Sequence, residues 1–127
     1  MKGTVNNMEM RKEKEAVYVE HVGGGAGKVE IHHIMNEDEF LGDGRMFARL
    51  VLEPGNVVGW HEHQEEAEYY YILSGEGEFT DSDHQTHSVK AGDFCPMKVG
   101  SGHALANTGK VPLIFFGLIL FAEAKRK

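Results

Sequence analysis

The sequence predicts an all-β sandwich or barrel. Three features carry that prediction: short segments that alternate apolar and polar residues, turn residues between them at close and regular spacing, and sixteen glycines in 127 residues. Residues 17–22 and 28–35 are strand-like, and Gly23, Gly24, Gly25 and Gly27 between them supply the turn of a hairpin. Residues 36–43 form an acidic connector. Residues 45–52 then alternate as a strand and stop at Pro54-Gly55. Strands follow at 57–63, 68–73, 77–80 and 85–89, separated by a four-residue loop, Ser74-Gly75, Asp81-Ser82-Asp83 and Ala91-Gly92-Asp93. A last pair, 103–107 and 111–121, is joined through Thr108-Gly109-Lys110. Residues 1–16 lack a clean period and read as a leader, either mobile or a short helix, ahead of a single domain over 17–127.

Composition bounds the function. A 14.1 kDa chain with 41% apolar and 26% charged residues has the makings of one globular domain with a packed core. Thirteen basic against twenty acidic residues give a net charge of −7, which repels phosphate backbones and anionic lipid, so neither nucleic acid nor a membrane surface is the expected partner. The longest apolar run, residues 111–122, is shorter than the roughly 20 residues that span a bilayer. The single cysteine, Cys95, cannot form an internal disulfide, and residues 1–15 hold no signal-like apolar stretch; the cytosol is the expected compartment. Residues 113–121 are apolar on both parities, which calls for cover on both faces, either from a second subunit or from burial between two sheets.

The chemistry concentrates in the middle of the chain. In a strand, residues two apart share a face, so His61 and His63 present both imidazoles to one side while Glu62 points away. Glu68 follows at an odd offset, and a loop over residues 64–67 would reset the phase and return its carboxylate to the same side. His103, forty residues past His63, opens a strand after a glycine-rich turn over residues 92–102. Three imidazoles and one carboxylate suit one divalent transition metal per chain (Mn, Fe, Ni, Co, Cu or Zn) and not Ca or Mg, which take mostly oxygen. Four protein ligands leave two octahedral positions open for water or substrate.

These residues resemble the cupin superfamily. Gly55, His61, His63, Glu68 and Gly75 meet its first motif in full. Gly92, Gly100, His103 and Asn107 meet the second, with Lys98 standing where a proline is expected and Pro96 two residues earlier. The resemblance implies a double-stranded β-helix, a jelly-roll barrel, holding one metal through His61, His63, Glu68 and His103. The wording from His61 to Gly77 is similar to stand-alone bacterial cupins likened to oxalate decarboxylases or mannose-phosphate isomerases.

Counted from Glu68, Tyr70 and Ile72 share its face, so Tyr70 is either a core aromatic or a hydroxyl offered to substrate. Tyr69 and Tyr71 face outward and favour a homodimer. Arg49 either reaches the cavity as a carboxylate clamp or solvates the outside. Glu65 and Glu66 fall in the loop beside the ligands, as a rim acid or base or as solvated charges. His32, His33, His84 and His87 read as surface or satisfied histidines, His21 gives no signal, and Cys95 and Met97 read as packing residues. Asn107 is expected to orient the turn after the fourth ligand. The expected function is a metalloenzyme acting on a small oxygen-rich substrate such as a carboxylate, by decarboxylation, dioxygenation or isomerisation. The alternative is a non-catalytic module that binds or senses a small molecule through the metal.

Overall fold

In the computed structural model, which describes residues 9–123, alternation along the chain becomes two antiparallel sheets facing each other. The strands are β1 (Val17–Glu20), β2 (Lys28–His33), β3 (Gly44–Leu52), β4 (Val57–Glu62), β5 (Glu66–Ser74), β6 (Glu76–Thr80), β7 (Thr86–Lys90), β8 (Phe94–Met97), β9 (Gly102–Ala106) and β10 (Leu113–Phe121). Six form one sheet in the order β1-β2-β3-β10-β5-β8, and four form the other in the order β4-β9-β6-β7. Short 3-10 turns at Val22–Gly24 and Glu37–Phe40 interrupt them. Leu52, Ile72, Leu105, Leu113 and Phe115 are fully buried between the sheets. No helix among the described residues is long and apolar enough to cross a membrane.

β10 explains its own unusual composition. It is the middle strand of three, flanked by β3 and β5. Leu113, Phe115 and Ile119 enter the core, while Ile114, Phe116, Leu118 and Leu120 stand half-buried on the outer face, where Phe116 lies 5.2 Å from the Phe47 ring. The strand is therefore not enclosed between the two sheets; only one of its faces meets the other sheet.

One expectation is corrected by the fold. Residues 94–97, read as part of a turn, form β8, an edge strand paired with β5. An edge tolerates Pro96 because a proline facing away from the ladder removes no hydrogen bond. Residues 9–16 of the expected leader are neither helix nor strand, and they are tethered: the Lys14 amide donates to the His33 carbonyl at 2.8 Å, and Arg49 Nη2 pairs with Glu13 at 2.6 Å. Residues 1–8 of that leader lie outside the described residues.

Candidate metal centre

The site begins with a defect in β4. Val58 pairs with Leu105 but His61 pairs with His103, so β4 spends three residues where β9 spends two. That extra residue is a β-bulge, and it puts His61 on the same inward side as Val58 despite their odd offset. Gly59 sits in the bulge because nothing larger fits: a Cβ there would come within 2.4 Å of the Gly23 carbonyl oxygen. After Glu62 the chain turns through residues 63–65, with Glu65 in the left-handed region at φ 61°. β5 starts at Glu66, earlier than the sequence suggested, and alternation from there sends Glu66, Glu68, Tyr70 and Ile72 inward.

The structure brings His61, His63, Glu68 and His103 together, with one candidate ligand atom from each lying within 4.8 Å of all the others. Glu68 Oε1 is 2.9 Å from His103 Nε2, 3.0 Å from His63 Nε2 and 3.8 Å from His61 Nε2. The two nitrogens His61 Nε2 and His103 Nε2 are 3.1 Å apart. Neighbouring acceptors choose the tautomers. His61 Nδ1–H donates to the Gly59 carbonyl at 2.8 Å, and His63 Nδ1–H donates to Glu66 Oε1 at 3.1 Å. In the neutral rings each Nε2 is then a lone pair aimed at the cluster centre.

That arrangement fits a cation. The buried His63 Nε2 has no hydrogen-bond partner although Glu68 Oε1 is near, so two acceptors face each other across a gap that either a proton or a metal must bridge. The charges respond accordingly. Burial works to raise the Glu68 carboxyl, but the three imidazoles, His103 foremost, hold it far below the usual carboxylate range. The same carboxylate raises His63, whereas burial lowers His103. Nitrogen and oxygen donors in this mixture suit a transition metal. Gly117 on β10 lets Leu50 and Met46 pack close beside Glu68: a Cβ there would come within 2.9 Å of the Leu50 side chain and 3.0 Å of the Met46 side chain.

Around the cluster, Tyr70 is buried and stacks on the His103 ring at 4.7 Å, with its hydroxyl 3.4 Å from His103 Nε2. Burial pushes that hydroxyl well above its ordinary pKa, so it stays protonated. Asn107 donates to the Leu52 and Val111 carbonyls at 2.8 and 2.9 Å and accepts from the Gly109 amide, fastening the end of β9 to the chain on either side. Arg49 is not brought to the cluster. Met46, Ala48, Leu50 and Leu52 take the inward parity of β3, leaving Arg49 on the opposite face with Glu13, where it forms no clamp at the cluster, contrary to that expectation. Glu66 is no solvated loop charge. It is buried, held by His63 and by a two-pronged hydrogen bond from Arg45. The signal was present, since Glu66 lies two residues before Glu68 and shares its face once the strand is extended by two. Four other histidines have partners away from the cluster: His32 in Glu30, His87 in Asp81 at 2.7 Å, His21 in the Gly25 carbonyl, and His84 in the stacked Trp60 ring.

Known proteins place the fold and the motifs in context. The family described as the cupin domain matches residues 48–121. An oxalate-binding protein of Thermotoga maritima is 40% identical over 102 residues, 80% of this chain and 84% of that one. A crystal structure of a predicted oxalate decarboxylase, also from Thermotoga maritima, superposes with a TM-score of 0.81 at 38% identity, covering 86% of this chain and 94% of that one. The oxalate decarboxylase of Bacillus subtilis is 32% identical over 72 residues, 54% of this chain but 19% of its own length. A family match running from β3 through β10, which spans all four converging side chains, makes the conclusion plain: this chain belongs to the cupin domain family.

Proposed function

We propose that this protein binds one divalent transition metal through His61, His63, Glu68 and His103 and uses it to capture a small carboxylate of the oxalate class. The observation that carries the reading is the convergence of three imidazoles and one carboxylate, with acceptors at Gly59 and Glu66 already setting two of the imidazoles to offer lone pairs. The likeness to an oxalate-binding protein supports the ligand class. When bound, the metal would supply Lewis acidity toward the carboxylate of the ligand.

The chain's own residues do the rest. Tyr70, neutral and buried against His103, is the hydroxyl we assign to donate toward a bound carboxylate. Phe79 stands edge-on to the His103 ring at 6.1 Å and Phe115 edge-on to Tyr70 at 4.9 Å, a lining that keeps bulk water from that side. Decarboxylation is the second reading, favoured by the names of the Thermotoga maritima structure and the Bacillus subtilis enzyme. It needs a proton donor for the carbon that loses CO2, a role for which Tyr70 is the nearest buried hydroxyl. We also assign the protein to the cytosol and propose that it works as a homodimer through the outer face of the six-stranded sheet.

Elemental analysis of the purified protein, with and without His61→Ala, tests the metal, and calorimetric titration of the metal-loaded protein with oxalate tests the ligand. About one metal per chain, lost in the variant, is expected. Oxalate should bind the loaded protein and not the stripped one. Metal without oxalate binding would sink the ligand class; oxalate binding with release of formate and CO2 would favour the decarboxylase.

A further inference from the structure

We infer that Arg45 and Glu66 are positioning residues for His63, acting as one charged chain that fixes how this ligand meets the metal; the inference rests on the metal-binding reading above. His61 and His63 look equivalent in sequence, but their supports differ. His61 leans on a neutral backbone carbonyl, at Gly59. His63 leans on a carboxylate: Glu66 Oε1 accepts His63 Nδ1–H at 3.1 Å. That carboxylate is 4% exposed, and a buried charge is held only by pairing. Arg45 pairs it through both prongs, Nε to Oε2 at 2.7 Å and Nη2 to Oε1 at 3.0 Å. A two-pronged guanidinium fixes the carboxylate plane, and the plane fixes the imidazole it receives.

The backbone is shaped to deliver Arg45. On β3, Met46 pairs with Ile119 and Gly44 with Leu120, so Arg45 is an unpaired bulge residue. Bulges re-aim side chains, and here the guanidinium reaches past β10 to β5, where Glu66 pairs with Phe121. Gly44 permits the bulge to pack, since a Cβ there would lie 2.7 Å from the Ile119 carbonyl oxygen and 2.8 Å from the Phe40 ring. A carboxylate behind an imidazole makes its other nitrogen a stronger donor than a neutral carbonyl does. Of the three histidines, His63 is thereby the one tuned by charge. Arg45 is also partly exposed, so the chain of contacts runs from solvent to the ligand nitrogen.

The test compares wild type, Glu66→Gln, Arg45→Met and the double variant for Mn(II) and Co(II) affinity by chelator competition, for the visible spectrum of bound Co(II), and for folding by circular dichroism. Glu66→Gln keeps an acceptor for His63 but removes its charge. Its metal affinity should fall roughly 10–100-fold, with displaced Co(II) bands and an unchanged circular dichroism spectrum. Arg45→Met, an unbranched replacement at a partly exposed position, should fall about 10-fold in the same direction, and it keeps the test open should the other variant fail to fold. Because the two act as one unit, the double variant should lose no more than Glu66→Gln alone. A wild type that holds metal beside variants with the same affinity and the same Co(II) spectrum overturns the inference while leaving the metal site standing. A wild type that holds no metal overturns both.

Discussion

Tyr70 shows how one inward residue serves both the core and the site. Its ring stacks on His103 with an interplanar angle of 16° and packs edge-on against Phe115, while its hydroxyl reaches the cluster. Tyr70→Phe keeps both ring contacts and removes the hydroxyl alone. We expect unchanged metal content and a loss of about 1 kcal/mol in oxalate binding, read by calorimetry on the metal-loaded protein. Equal oxalate affinity in the variant would return Tyr70 to the core. Cys95, opposite Tyr70 on β8, is the contrasting case: burial pushes its thiol up to about 11, which suits packing rather than chemistry. Parity was enough to place Tyr70 inward from sequence. It was not enough for Arg49, because alternation says that two sets of residues face opposite ways without saying which set is inside.

At the scale of elements, β4 is held in place by the glycine turn before it. Gly25 and Gly59 approach backbone to backbone, and a Cβ on Gly25 would come within 2.0 Å of the Val57 carbonyl oxygen and 2.8 Å of the Gly59 nitrogen. Gly25 has an ordinary φ of −72°, so the cost of Gly25→Ala is purely steric. We expect about 3 kcal/mol of destabilisation, the upper end for overpacking, in chemical denaturation. Metal affinity should fall with it, since the displaced Gly59 carbonyl is what orients His61. A variant as stable as the wild type would show that the turn can shift freely. The tether at residues 9–16 carries a pH dependence. His32 donates from both ring nitrogens, to Glu30 and to the Lys14 carbonyl, and its pKa is raised above 6.5, first by Glu30, then by Lys14 and Glu13, against burial and Arg49. A raised folded value means the stabilisation is complete below the unfolded pKa and is lost as pH rises through the folded one. The protection factor of the Lys14 amide in hydrogen exchange should therefore drop in wild type as pH rises above the ordinary histidine value of 6.5 and through the raised folded one, and stay flat in His32→Asn. A flat wild-type profile would remove His32 from the tether.

For the whole molecule, the outer face of the six-stranded sheet is the surface on which the proposed dimer rests. Phe47, Ile114, Phe116, Leu118 and Leu120 stand half-buried there, and Tyr71 and Phe94 are exposed beside them. Apolar residues on a solvent-side face are the mark of an interface when they are contiguous. Sedimentation of the wild type at micromolar concentration should show a dimer, and Phe116→Arg, which places a charge among those side chains, should shift it to monomer while leaving metal content unchanged. A wild type that sediments as a monomer would show that neighbouring side chains alone cover the face. The same view explains why β8 was missed in the sequence: Pro96 and the flanking glycines read as a turn, and only pairing with β5 on one side and solvent on the other turns them into an edge strand.

The sequence by itself determined the all-β class and most strand positions, because strand period and turn chemistry are local properties written every few residues. His61 and His63 share a face by the period of two, whereas Glu68 and His103 were joined to them through the resemblance of the two motifs to the cupin pattern. Tertiary structure decided the rest. The bulge that sets His61 against His103, the inward choice of β3 that excludes Arg49, and the delivery of Arg45 across β10 to Glu66 all depend on which strand lies beside which. Pairings between residues distant in sequence leave little trace in the local pattern, so a close reading of either strand alone could not have found them.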